Sequence, residues 1–252
     1  MVQRVARLAA AIFLPLVLTG CLLAPGKFTA KLTINADRTF AYSYVGEVIA
    51  IDPMSDMPKS DAGDDDPDLD PSQYDDGVPT FQRITHRIGF ADEPDAEAKA
   101  ERDRKLTAIA EALRKEQGYR RVDYLGDGKF SVNYAASGTL THNFVYPFNL
   151  DATAIIPFVA VELRANGAAR VRAPAFGEEA AFNPAAKAGL GNGGGSPAEN
   201  KADGTFTLDT DAEIVSQNNE DGATTAGARK IVVWKVTPLT KAAPMAVVKF
   251  RP

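Results

Sequence analysis

The side chains able to do chemistry are few in this sequence, and most stand apart from one another. There is one Cys, Cys21, and there are two His, His86 and His142. A single thiol permits no disulfide within the chain and no Cys-based zinc site. No H-E-x-x-H occurs, and no G-x-S-x-G; Ser137 lies in Ala-Ala-Ser-Gly-Thr. A Ser/His/Asp triad is spatial rather than sequential, and every Ser here falls in plain strand or loop context. Glu178 and Glu179 are adjacent carboxylates in a loose loop, and their spacing says nothing about a glycosidase geometry. Ten Asp fall between Asp52 and Asp76. Asp64, Asp66, Asp68 and Asp70 alternate, as calcium ligands can. An EF-hand loop needs Gly at its sixth position and Glu at its twelfth. Counting from Asp64 those places hold Leu69 and Asp75; counting from Asp66 they hold Pro71 and Gly77. The motif fails, leaving a solvated acidic loop, with weak calcium association as the alternative. Gly189, Gly191 and Gly194 fit G-x-G-x-x-G, but a dinucleotide site needs a strand before and a helix after. Asn183-Pro184 precedes and Ser196-Pro197 follows. The sequence points to no catalytic residues, no metal site and no cofactor.

Cys21 is different, because its surroundings agree on a role. Arg4 and Arg7 form a short basic start, and Leu8 to Leu18 is an apolar run too short to cross about 30 Å of hydrocarbon. That is the layout of a cleaved signal peptide over residues 1–20. It ends in Leu18-Thr19-Gly20-Cys21, which resembles the lipobox of bacterial lipoproteins. The resemblance implies recognition of Leu18, Thr19 and Gly20 by the signal peptidase and cleavage before Cys21. It also implies a diacylglyceryl group on the sulfur and an acyl group on the new amino terminus. Two or three chains hold a protein to a bilayer stably, at about 0.8 kcal/mol per buried CH₂. In enterobacteria an Asp after the lipidated Cys resembles an inner-membrane retention signal. Leu22 and Leu23 stand there instead, which places the expected site at the periplasmic face of the outer membrane of a Gram-negative cell. Residues 21–26 form a short tether, and 22–27 span at most about 20 Å. The domain is therefore expected against the membrane surface.

The remaining elements must build whatever sits behind that anchor. The chain has 252 residues, 45% of them hydrophobic, with Lys+Arg 28 against Asp+Glu 33 and a formal net charge of -5. That balance excludes a polybasic nucleic-acid binder and a wholly disordered chain. Phe28, Ala30, Leu32 and Ile34 alternate with polar residues, then Phe40, Tyr42 and Tyr44 alternate up to Ile51. Asn35 to Arg38 supplies a turn, so the two strands form a hairpin. Ile84, His86, Ile88 and Phe90 predict a short strand. Asp92-Glu93-Pro94-Asp95 opens a long helix over about 93–117, with Leu106, Ile109, Ala110 and Leu113 as its apolar stripe and Gly118 at its end. Asp127-Gly128 and Asn166-Gly167 mark two further hairpins. Tyr146 to Leu163 is apolar on both faces, and either lines a core or faces lipid. Phe206 to Val215, Lys230 to Thr237 and Met245 to Phe250 read as strands, with Asn218 to Gly227 a polar loop. The sum is an α+β fold: a mainly antiparallel sheet with one long helix packed on one face. It forms a single domain over 27–252 with flexible acidic (52–79) and Gly-rich (177–203) loops.

The stretch FTLDTDAEIVSQNNEDGATTAGARKIVVWKVTP carries a strand ending in Ile214-Val215-Ser216-Gln217-Asn218, a polar loop, and a strand with Trp234. With the lipobox, the hairpin GKFTAKLTINADRTFAYSYVGEV and one central helix, it resembles the mycobacterial LppM-type lipoprotein domain. It looks closer still to uncharacterised lipoproteins of alphaproteobacteria. The resemblance implies an antiparallel sheet with a helix and a part in lipid or lipoglycan handling, with no catalytic motif to transfer. This chain departs from that group in its acidic loop and in its lack of a C-terminal membrane helix. The expected function is a non-catalytic envelope lipoprotein, held by lipid on Cys21, that binds a lipid or other amphiphile. The alternative is a structural or accessory subunit of an envelope assembly with a protein partner. No nucleic-acid partner is expected.

Overall fold

The computed structural model describes residues 22–51, 96–147, 156–177 and 200–251. The first hairpin is β1 (Leu22–Ile34) and β2 (Thr39–Ile51), followed by helix α1 (Ala96–Leu113). Then come β3 (Tyr119–Gly126), β4 (Lys129–Thr139), β5 (Phe144–Tyr146), β6 (Val159–Arg164) and β7 (Ala168–Arg172). A 3-10 turn at Pro174–Phe176 precedes β8 (Asp203–Thr210), β9 (Glu213–Gln217), β10 (Thr224–Ala226), β11 (Arg229–Val236) and β12 (Met245–Lys249). They form two sheets. The larger has the order β10-β11-β8-β1-β2-β4-β3, the smaller β5-β6-β7-β12-β9.

The expected hairpins form where their turn residues allow. Asp127 (φ 48°) and Gly128 (φ 74°) both take the left-handed backbone that a tight two-residue turn needs, and Gly167 (φ 71°) does so between β6 and β7. Alternation then sorts the side chains. Phe28, Leu32, Tyr42, Tyr44, Phe206, Leu208, Val232 and Trp234 turn inward from the larger sheet. Val159, Val161, Val171, Ala246 and Val248 turn inward from the smaller, and all belong to one buried core. Aromatic rings join the larger sheet to the segments packed on it, with Tyr44 meeting Phe158 at 5.5 Å and Phe28 meeting Phe176 at 4.2 Å, while within the larger sheet Trp234 stacks on its register partner Phe206 at 5.5 Å.

Four expectations are corrected here. The fold is not an α+β arrangement of one sheet under a long helix. Strands hold 56% of the described residues, in two sheets. The helix has 18 residues and buries only Leu106 and Ala110, so it is no layer of its own. The smaller sheet covers part of the inner face of the larger sheet, and α1 lies over the part formed by Val48 and Ala50 of β2 and Phe130 and Val132 of β4. Second, the tether expected over 21–26 is strand from Leu22 onward, because Leu22, Leu23, Ala24 and Pro25 pair with Ile51 to Val48 of β2. Third, Phe206 to Val215 divides into two strands belonging to different sheets. Thr210 Oγ1 accepts from Ala212 N at 3.0 Å, and Asp211 Oδ1 accepts from Ala36 N at 2.8 Å, which turns the chain away. Fourth, the polar loop 218–227 contains β10, which pairs with β11. One pairing within the mainly antiparallel layout is parallel, β1 with β8, from Lys27↔Asp203 to Ile34↔Thr210. The strand around His86, the whole acidic loop and most of the Gly-rich loop lie outside the described residues.

Candidate functional site

The helix stripe was predicted as structural packing, and the structure gives it a second property. Leu106, Ile109 and Leu113 recur every three to four residues and share one face of α1. Opposite them stand Val48 and Ala50 of β2 and Phe130 and Val132 of β4. Leu23, Tyr119, Tyr146, Pro147 and Phe158 close the ends. These residues do not meet completely. They enclose a cavity of about 70 Å³ whose wall is almost wholly carbon. Ile109 is 45% exposed although it lines the cavity, so the space borders solvent at the helix.

The helix is held beside this gap by polar links along its flanks. Lys99 Nζ lies 2.9 Å from Asp127, Arg102 donates to the Ala50 carbonyl at 3.3 Å, and the Tyr124 hydroxyl donates to Asp103. At the far end Arg114 Nε donates to the Val122 carbonyl at 2.6 Å and its guanidinium pairs with Asp123 at 3.0 Å. Hydrogen bonding to Lys99 holds the Asp127 carboxyl below its ordinary range, and hydrogen bonding to Arg121, with Arg114, does the same for Asp123. Asp127 is exposed and Asp123 half-buried at the surface, so these links set the position of the helix more than its stability.

No lining residue carries a charge. Burial pushes the Tyr119 hydroxyl up to about 12 and the Tyr146 hydroxyl well above its ordinary value, with neighbouring phenols adding to the effect. Both stay neutral at any physiological pH. Behind them the Tyr42 hydroxyl is buried without a hydrogen-bond partner. The site is suited to hydrocarbon and not to an ion.

The residues predicted from sequence fall unevenly. Leu18, Thr19, Gly20 and Cys21 lie outside the described residues, which begin one position later. So do Glu178, Glu179, Gly189, Gly191, Gly194 and the Asp residues from Asp52 to Asp76. Ser137 is exposed on β4, and His142 is exposed with its Nδ1 3.0 Å from Thr141 Oγ1. Among the described residues, no three His, Cys, Asp or Glu side chains gather as a metal could use. Of the doubly apolar segment, Tyr146, Phe158, Val159 and Val161 are buried in the core. The small residue Ala50 facing the stripe was the available signal for the cavity, and it is a faint one. Among the described residues no helix is long and apolar enough to cross a membrane.

No protein-family model matches the chain, and no curated protein does. Among solved structures it is similar to the NMR structure of the folded domain of the Mycobacterium tuberculosis LppM protein. The identity is 19%, the match covers 91% of this chain and 93% of that one, and the TM-score is 0.32. This is the group that the C-terminal motif resembles. At that score the two backbones diverge widely, and no property of that domain passes to this chain.

Proposed function

We propose that this chain is a non-catalytic envelope lipoprotein, anchored by lipid on Cys21, whose β domain takes up a hydrocarbon chain beneath α1. The observation that carries the reading is the neutral apolar cavity, lined by Leu23 at the end of β1 that follows Cys21 directly. A packed core normally leaves few voids larger than a water molecule, and this one borders solvent under a lightly seated helix. The lipobox supplies the anchor, and the start of β1 at Leu22 leaves almost no chain between anchor and domain. The ligand is thereby met at the membrane surface, where hydrocarbon is abundant.

The anchor is tested by fractionating cells that express the full chain and its Cys21→Ala variant. The expected wild-type product pellets with membranes and carries acyl mass on an N-terminal Cys21 peptide, while the variant is released or left unprocessed. A Cys21→Ala chain that stays membrane-bound and normally cleaved contradicts the reading.

A further inference from the structure

We propose that the hydrocarbon seated under α1 is the protein's own: one acyl chain carried on Cys21 folds back into the cavity of the same molecule. This rests on the lipoprotein reading above. The first support is reach. Leu23 and its register partner Ala50 both line the cavity. Cys21 precedes Leu23 by two residues, and two residues span at most about 7 Å. Any chain rooted on Cys21 Sγ therefore starts close to the cavity. A short connection also raises the effective concentration of the tethered group into the mM range, ahead of free lipid arriving singly.

The second support is size. The cavity measures about 70 Å³. One water-sized group needs about 10–15 Å³ of such space, so on the order of five to seven carbon-sized groups fit. That is a stretch of one acyl chain, with no room for a headgroup or a second chain. The third support is charge. A free fatty acid brings a carboxylate, and no Lys, Arg or His lines the cavity to receive it. A chain bonded through the lipid on Cys21 brings no charge. Its end restores contacts that the empty void forfeits.

The test uses cells that make the full chain and are fed palmitate bearing a diazirine near its methyl end. After irradiation the mature protein is digested and its cross-linked peptides are read by mass spectrometry. The label must first appear on the Cys21 peptide; its absence there overturns the lipoprotein reading and the present proposal with it. With the label in place, the expected product is an intramolecular cross-link from the Cys21 peptide to peptides holding Leu106–Leu113 or Phe130–Val132. Ala50→Leu, which fills the cavity, should cut that yield at least fivefold, and Ile109→Trp should do the same from the exposed side. A labelled Cys21 that cross-links only to phospholipid or to a second protein molecule overturns the proposal alone. So does a yield unchanged in both variants.

Discussion

Gly118 shows how much one residue can decide here. It turns the chain from α1 into β3 at φ +95°, and a Cβ there would come within 2.5 Å of the Tyr134 ring. Left-handed backbone costs other residues about 1–2 kcal/mol, and the ring contact adds to that. Gly118→Ala should lower stability by at least about 2 kcal/mol, read as an earlier urea midpoint with an unchanged slope. Asp209 is the second such position. It is 8% exposed, with Lys31 Nζ at 2.9 Å and Arg229 hydrogen-bonded to both its carboxylate and, at 3.2 Å, its carbonyl. Burial pushes its carboxyl up, but Lys31 and Arg229 together hold it below the ordinary range. A depressed folded-state pKa stabilises above the unfolded value of about 3.9 and is lost as pH falls through the folded one. Asp209→Asn should therefore cost about 2 kcal/mol at pH 7 and progressively less below about pH 4. Thermal melts of both proteins from pH 7 to pH 3 measure this, and a gap that widens toward acid would contradict it. Neither role was legible beforehand. Gly118 was predicted to end a helix running to residue 117; the helix ends at Leu113 instead, and Gly118 leads the chain into β3, where its conflict with Tyr134 is a contact between elements. Asp209 sat in a strand pattern with nothing to mark it as the centre of an ionic cluster.

At the scale of elements, alternation and turn chemistry carried most of the reading. The β1–β2, β3–β4 and β6–β7 hairpins were legible because a period of two and a Gly-containing or Asx turn are local signals. The second sheet as a whole was not, because β12 joins the β5-β6-β7 strands and β9 only through pairings between stretches far apart in the chain. The motif ending in Asn218 gains a physical meaning in this light. Asn218 Oδ1 accepts from Trp234 Nε1 at 3.1 Å and from Met245 N at 2.9 Å, while its Nδ2 donates to the Ala243 carbonyl at 2.8 Å. One side chain thus ties a strand of the larger sheet to the approach to β12 in the smaller. Asn218→Ala should cost about 1–2 kcal/mol. Trp234 is the only Trp in the chain, so the lost indole bond should also shift its fluorescence maximum. A melt and an emission spectrum unchanged together would rule out the staple. The helix was legible as a helix, but its stripe gave no measure of how poorly it is filled underneath.

For the whole molecule, the proposed anchor rests on residues 18–21 of the sequence alone, and the cavity beneath α1 could not be read there. A cavity is a shortfall in packing between elements, and no residue pattern announces one. Its energetics are modest. Five methylenes at about 0.8 kcal/mol each give about 4 kcal/mol, a Kd of about 1 mM for a free short chain. That is weak for a free ligand and ample for a tethered one. The same void sets the expected effect of filling it: Ala50→Leu should raise stability by about 1 kcal/mol while it closes the site.

The most direct measurement is a methyl-detected NMR titration of the full Cys21→Ala chain with methyl hexanoate, a neutral six-carbon acyl group, run beside the same chain carrying Ala50→Leu. The account predicts saturable shifts at Leu106, Ile109, Val48 and Val132, none at the exposed Leu239, and at least tenfold weaker binding once Ala50 is Leu. Shifts that never saturate, or that persist equally with Leu at position 50, would contradict a hydrocarbon site beneath the helix.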